Sequence, residues 1–359
     1  MPVDDVTYNN YRKETGFSGL KKRAQIKNNQ DGEPVMRTFL GKCVCLGRDK
    51  LCKLQCSDQT DFMPKVCKLF PRYTVSYGGL KIGMLDLSCI QVVKLLLDNP
   101  GRLELVTPNK PFEVFWDAKQ ADSDFAEQLL VDLDKMMDYL WEEDGSLWEK
   151  ERVLFSHVYA EHLMLVKGDP EKIENIPVDE NYLSEHFKGQ IPWILEKRIE
   201  AASEDLPFFP VSFVNELMYQ NLPDAYLVLY HPKMFKLIRS YKRQFGKVLE
   251  SEADRAFRGT WIDLEEKYEW LSGALKSYFS YKLQMIYLNA SIDYYVIEPV
   301  IIAMLNIQFL MLFVMTWCGD DKELSLDDFA LLISENERLL SHNPEFVKAV
   351  MERIREELL

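Results

Sequence analysis

Histidine is scarce in this chain of 359 residues, which holds five. A metal centre built mainly on imidazoles is therefore hard to assemble. One stretch, His157-Val158-Tyr159-Ala160-Glu161-His162, invites comparison with a zinc-protease helix, and its spacing fails. That motif needs H-x-x-E-H or H-E-x-x-H. These histidines are five apart, which turns them roughly 140° from each other on a helix. The expectation is a core His162 and a surface His157.

Phosphate loops are missing too. Gly78, Gly79 and Gly83 do not form G-x-G-x-x-G, and no strand–turn–helix pattern surrounds them. No Rossmann fingerprint results, so the common methyltransferase fold is not supported. Neither G-x-S-x-G nor a P-loop occurs. Basic residues are in deficit: the net charge is −14 and the pI about 5.0. This argues against nucleic-acid binding, which needs a basic face, and suits a cationic partner such as a lysine-bearing protein. There is no internal repeat and no low-complexity tract. No apolar signal segment follows Met1, so a reduced, cytoplasmic setting is expected. A membrane-length apolar run occurs once, at Val300–Trp317, where only Asn306, Gln308 and Thr316 are polar. Eighteen residues is the lower edge for a membrane span. The flanks carry Asp293, Glu298, Asp320 and Asp321, without a basic anchor. A central buried helix and no membrane are expected.

Cysteine is nearly absent from most of the chain and concentrated in one place. Six of the seven lie between Cys43 and Cys89, with Cys318 the exception. Converging thiolates are what a metal or iron–sulfur site needs. A disulfide framework belongs rather to small secreted domains. The spacing is not that of a common zinc module: Cys43 and Cys45 are two apart, Cys45 and Cys52 seven, Cys52 and Cys56 four, with no C-x-x-C. Spacing alone leaves ordinary thiols and a metal site both open.

Local pattern places these cysteines. Residues 1–40 read as a helical lead-in with Tyr8 and Tyr11 on one face. Cys43 and Cys45 precede Gly47 in a turn. Asp49 is placed to cap a short helical turn carrying Cys52 and Cys56. Pro64 opens a turn of helix over Lys65–Leu69 that carries Cys67 and is stopped by Pro71. Thr74–Tyr77 and Leu80–Met84 flank Gly78-Gly79, a two-residue hairpin signal. Ser88 and Gln91 have capping-box spacing, which puts Cys89 in the first turn of a helix running to Asp98. A helix N-terminus favours the thiolate, the form that binds metal. Leu103–Thr107 and Phe112–Trp116 read as a second hairpin.

Beyond this the periodicity is helical. Phe125, Leu129, Leu130, Leu133, Met136, Met137 and Leu140 form one apolar stripe, and Leu154, Phe155, Val158, His162 and Val166 another. Residues 168–181 read as a polar linker, Tyr182–Ala202 as helix, and 205–210 as a break. Helix resumes over Pro232 to about Glu252 and over Ile262–Trp317, with a kink or break at Glu298-Pro299. Residues 326–339 and 345–358 close the chain as two amphipathic helices.

Together the motifs resemble a known family. Cys43-x-x-Leu46, Leu51-Cys52-Lys53-Leu54-Gln55, Cys67-x-x-Phe70-Pro71-Arg72 and Leu87-Ser88-Cys89 are similar, in order and gaps, to elements of the flagellin lysine-N-methylase family. Those elements are C-x-F-L, L-C-x-I-Q, C-x-x-Y-P-R and L-S-C-P. The tail is also similar, at Tyr278-Phe279-Ser280-Tyr281 and at Glu335–His342. The family's usual upstream motif, several cysteines ending in C-C-x-G-W, does not occur here. Met1-Pro2-Val3-Asp4 resembles the stretch just after it.

The resemblance implies an iron–sulfur cluster (4Fe-4S) on Cys43, Cys52, Cys67 and Cys89. It also implies S-adenosylmethionine-dependent methylation of lysine on flagellin or a similar surface protein, with Arg72 a candidate cofactor-binding residue. Cys45 stands where the family usually has an aromatic, and Cys56 and Cys318 match no motif cysteine. Lys236, Arg239, Arg243 and Lys247 recur on one helix face. The plain reading is a solvated face. The sharper one is a patch for an acidic partner or for the carboxylate end of the methyl donor.

The expected fold is mainly α: a small Cys-rich α+β N-terminal subdomain with short hairpins (1–117), followed by an α-helical domain (118–359). The expected function is a protein-lysine N-methyltransferase. The alternative is a noncatalytic helical binding protein with a structural metal centre.

Overall fold

The computed structural model describes residues 2–29, 32–39, 42–48, 52–77, 80–104, 123–167, 176–187, 209–221, 227, 231–245, 250–290, 297–319, 322–340 and 343–358. It is mainly helical. A small N-terminal region of short antiparallel hairpins, holding most of the cysteines, precedes a helical domain.

The N-terminal region departs from the helical lead-in that its pattern suggested. Helices Asp5–Lys13 and Gly16–Arg23 do form. Beyond Ala24 the chain turns to strands: Ile26–Asn28 pairs with Pro34–Met36, and Thr38–Phe39 with Lys42–Cys43. The reason lies in Asn28, Asn29, Gly32 and Pro34, all poor helix formers. Gly32 takes φ +81, a left-handed value that suits glycine. Lys65–Leu69 is helical as expected, behind Pro64, while Lys53–Cys56 follows Cys52 at its N-cap. The proposed cap at Asp49 lies outside the described residues. Val3, Met36, Cys45, Leu54 and Met63 bury themselves in a small core of their own, with Tyr8, Ile26, Phe62 and three more cysteines packed on it.

Asp4 ties this core together. Its Oδ1 accepts from the Thr7 amide at 3.0 Å, capping Asp5–Lys13, and its Oδ2 accepts from the Lys65 amide at 2.7 Å. Burial pushes the Asp4 carboxyl up, but the Lys65 and Thr7 hydrogen bonds outweigh it, so its pKa lies below the ordinary 3.8. Asp4→Ala is expected to destabilise this region by ~1–2 kcal/mol, the usual loss of a cap. Because the folded pKa is depressed, that contribution is present above the unfolded pKa and fades as pH falls through the folded one. Urea melts of the wild type and the variant at neutral and acidic pH should converge on acidification.

The hairpin Arg72–Tyr77 with Leu80–Leu85 forms in the register that Gly78-Gly79 suggested, Tyr77 opposite Leu80. Its inward residues Ile82 and Met84, and the helix Ile90–Asp98 after it, join the large helical core rather than the small one. The expected capping box at Ser88 does not form. Its amide donates to Asp86 Oδ1 at 2.8 Å and its carbonyl accepts from Arg338 Nε at 2.9 Å. Cys89 is therefore the N-cap itself, with no side-chain cap bond. The second hairpin expected at 103–116 falls mostly on residues 105–122, outside the described residues.

The helical domain is built around Ile297–Gly319, the axial helix. Being apolar on every side, it must be enclosed. Nearly all of its residues from Val300 to Thr316 are buried. Pro299 sits in its first turn, where a missing amide proton costs nothing. Helices Leu147–Lys167, Pro232–Phe245, Leu271–Ala290 and Leu326–Leu340 pack on it. Several polar groups along it find partners. Gln308 bridges the backbone of Phe209, donating to the carbonyl at 2.6 Å and accepting from the amide at 3.3 Å. Thr316 donates to Leu312 O at 2.7 Å, and Asn336 Nδ2 donates to Asn306 O at 3.0 Å. One expected break is absent: Glu250–Lys267 is a single helix, because Ala253, Phe257, Trp261 and Leu264 continue an apolar stripe through it.

The three stretches of family resemblance outside the cysteine-rich turns meet in this domain. Tyr278 donates to Glu337 Oε1 and Lys282 to Glu337 Oε2, each at 2.6 Å and all buried. The Tyr281 hydroxyl donates to Leu85 O at 2.7 Å and accepts from Leu85 N at 2.8 Å. Arg338 holds Ser88 from the same side. The junction that results is a packing device, and Cys89 belongs to it.

Candidate metal centre

The cysteine region was expected to gather Cys43, Cys52, Cys67 and Cys89. The structure gathers Cys43, Cys45, Cys52 and Cys67 on the small core, and packs Cys89 against the large one. Cys56 is exposed, and Cys318 lies in the helical domain beside Tyr268 and Lys267.

Backbone pairing brings the four together. Cys43 ends a strand, and the Leu46 amide donates back to Cys43 O at 3.0 Å, folding the Cys43–Cys45 segment into a tight turn. Leu46 bridges Cys52, and the Lys53 amide donates to Cys45 O at 2.8 Å. This sets Cys52 beside the turn. Cys67 arrives on Lys65–Leu69, anchored by Asp4. Beneath them lies Tyr11, fully buried, whose hydroxyl donates to Gln25 Oε1 at 3.1 Å. The Cys45 thiol donates to the same oxygen at 3.5 Å.

The electrostatics agree with a shared nest. Burial first, then negative charge on Cys45, Cys43, Cys52 and Cys67, drives the Tyr11 hydroxyl far above its ordinary value. Burial, then Cys43 and Cys52, pushes the Cys67 thiol up to about 11. Cys43 is held low chiefly by the Cys45 side chain, and the same contact forces Cys45 up. A cation set among these thiols would relieve the cost that holds Cys45 and Cys67 protonated.

A single zinc ion with Zn–S of ~2.3 Å would hold its sulfurs about 3.8 Å apart. Among the described residues, the ligand atoms close enough to hold a single ion are those of Asp132, His157 and Glu161, not these sulfurs. Four thiols on one small core make an all-sulfur donor set, the kind that both zinc and iron–sulfur centres use.

No family model matches the chain, and neither a curated protein nor a solved structure is significantly similar to it.

Arg72 is exposed, on the strand that follows the Cys67 helix, with Leu85 as its strand partner. Lys236, Arg239 and Arg243 are exposed along Pro232–Phe245, the solvated face expected, while Lys247 lies outside the described residues.

The histidine reading is reversed. His157 is 1% exposed, whereas His162 is only partly buried. The signal was present but lay elsewhere. His157 and Glu161 are four apart, on one face of Leu147–Lys167, and comparing the two histidines passes over that pair. Asp132, one helix earlier, completes a buried group that sequence spacing does not connect.

Glu151 is a further buried acid. Burial pushes its carboxyl up to about 8, against the pull of Arg152. A raised carboxyl pKa makes the folded state bind a proton that the unfolded state has released. Its contribution to stability is therefore full below the ordinary 4.5 and lost as pH rises to about 8. Glu151→Gln is expected to remove this slope and to be the more stable protein at pH 8, by several kcal/mol. Denaturant titrations across that pH range measure it.

Proposed function

We propose that Cys43, Cys45, Cys52 and Cys67 hold an iron–sulfur cluster of the 4Fe-4S kind. We propose further that the chain is an S-adenosylmethionine-dependent protein-lysine N-methyltransferase acting on flagellin or a similar lysine-bearing protein. The observation that carries the reading is the meeting of four thiols on one small core over Tyr11. Three of them are motif cysteines of the family resemblance. Cys45 takes the place of Cys89, which is held in the helical junction.

Bound there, the cluster would clamp the Cys43 turn, Cys52 and the Cys67 helix to one centre. The lysine substrate must lose a proton from an ammonium of ordinary pKa ~10.4, which a partly apolar pocket lowers by desolvation. With the donor bound, the freed nitrogen would take the methyl group from its sulfonium. The carbon–sulfur bond breaks with its electron pair passing to sulfur, and positioning supplies much of the rate. A cavity of about 480 Å³ in the helical domain, walled by Leu103, Leu130, Leu133, Met137 and Leu288 with Arg102 at its edge, has the volume for a small donor. Arg72, exposed beside the cysteine region, is placed to pair with a carboxylate.

Oxygen-free protein incubated with methyl-labelled donor and flagellin tests the reading. Label on lysine is expected; none, with iron and sulfide intact, contradicts it. A second reading, a noncatalytic helical binding protein with a structural metal centre, is favoured by the anchoring of Cys89 away from the nest. It predicts metal without methyl transfer.

A further inference from the structure

We propose that Asp132, His157 and Glu161 form a second metal site, specific for a divalent first-row transition ion such as zinc, manganese or iron(II), that pins helix Ser123–Trp141 to Leu147–Lys167. The site is separate from the cysteine nest and does not rest on the methylase reading.

All three side chains are buried, at 1%, 1% and 2% exposure, and their ligand atoms lie within 4.8 Å of one another. His157 Nε2 faces Asp132 Oδ1 at 2.9 Å and Glu161 Oε1 at 3.9 Å. The other ring nitrogen decides the chemistry. Nδ1 lies 3.1 Å from the carbonyl oxygen of Pro177. A carbonyl only accepts, so Nδ1 carries the proton. In the neutral ring Nε2 is then a lone pair, pointed at two carboxylate oxygens. Nε2, Asp132 Oδ1 and Glu161 Oε1 thus present three donor atoms to one buried point.

A proton on Nε2 would bridge it to Asp132 Oδ1 at 2.9 Å but not reach Glu161 Oε1 at 3.9 Å. A metal ion serves all three donors at once. The outer hydrogen bond to a backbone carbonyl is also what fixes a ligating imidazole in its binding tautomer. One nitrogen and two carboxylate donors suit zinc, manganese or iron(II), whereas calcium and magnesium take all-oxygen sets. Burial of every donor makes the role structural. The ion would fasten two helices and the Pro177 segment.

Cobalt(II) is the probe, because its visible bands report the donor set. The protein to load is the full chain carrying Cys43→Ser and Cys67→Ser, which disables the thiolate nest. About one equivalent of cobalt is expected by elemental analysis, with ligand-field bands of a nitrogen–oxygen site and no thiolate charge-transfer band. Added to this background, Glu161→Gln, nearly the same shape, should weaken binding at least about tenfold. His157→Gln should abolish the bands. Cobalt should raise the melting temperature of the cysteine variant but not of its Glu161→Gln derivative. The proposal is overturned if the folded cysteine variant takes up no cobalt, zinc or manganese. It is equally overturned if uptake is unchanged in folded Glu161→Gln protein. Wild-type protein serves as a second readout should the cysteine variant not fold: it should hold one ion that Glu161→Gln alone removes, whatever the nest binds, and metal content unchanged in folded Glu161→Gln contradicts the site.

Discussion

Lys282→Met is expected to lower the free energy of unfolding by ~3–5 kcal/mol, the usual cost of removing one partner from a buried ion pair. The Lys282 and Glu337 side chains are each 3% exposed, and their charged atoms lie 2.6 Å apart. Tyr278, wholly buried, donates to the other Glu337 oxygen at 2.6 Å. Without Lys282 the Glu337 carboxylate keeps the neutral Tyr278 hydroxyl but loses its ammonium, and must either remain charged in the interior or take up a proton. The same pair joins Leu271–Ala290 to Leu326–Leu340, two helices that embrace the axial helix. The damage should therefore be global, seen as a shifted denaturant midpoint for the whole helical domain. The double variant Lys282→Met/Glu337→Leu should recover much of the loss, since apolar groups of similar volume need no counter-charge. A single-variant effect below ~1 kcal/mol would show that the pair is not buried as described.

If the cysteine nest holds the proposed cluster, stripping its metal should open the N-terminal region and spare the helical domain. The small core consists of Val3, Met36, Cys45, Leu54 and Met63, with partly buried neighbours. So few apolar side chains are marginal without a metal or disulfide. Where metal binding and folding are coupled, the binding free energy appears as stability. Amide exchange in residues 2–67 should accelerate by on the order of 10³ on chelation of the iron, corresponding to ~4 kcal/mol. Exchange in Ile297–Gly319 should not change. Unchanged protection in the N-terminal region after metal removal would count against any structural centre there.

The helices were legible because their signal is local and repeated. Leu133, Met136, Met137 and Leu140 announce Ser123–Trp141, and an all-apolar run announces the axial helix. The early hairpins were not legible, since strands of two or three residues with exposed Lys27, Asn28, Thr38 and Phe39 offer too little alternation. At Ser88 a local rule lost to tertiary contacts: Asp86 and Arg338 occupy the amide and carbonyl that a capping box would have arranged differently. The site was half legible. Clustered cysteines pointed to the region where four thiols gather, but spacing could not tell that the chain parts between Cys67 and Cys89, the first joining the small core and the second the large. Asp132, His157 and Glu161 show the same limit, since a fold, not a motif, brings residue 132 to residue 157.

Choosing between Cys45 and Cys89 as the fourth thiolate is the most direct test. Wild type, Cys45→Ser and Cys89→Ser would be produced without oxygen and assayed for bound iron and acid-labile sulfide. Iron and sulfide in the wild type and in Cys89→Ser, with both largely lost from Cys45→Ser, is the predicted result. Loss in Cys89→Ser with retention in Cys45→Ser, or a wild type that binds no iron, would contradict the nest proposed over Tyr11.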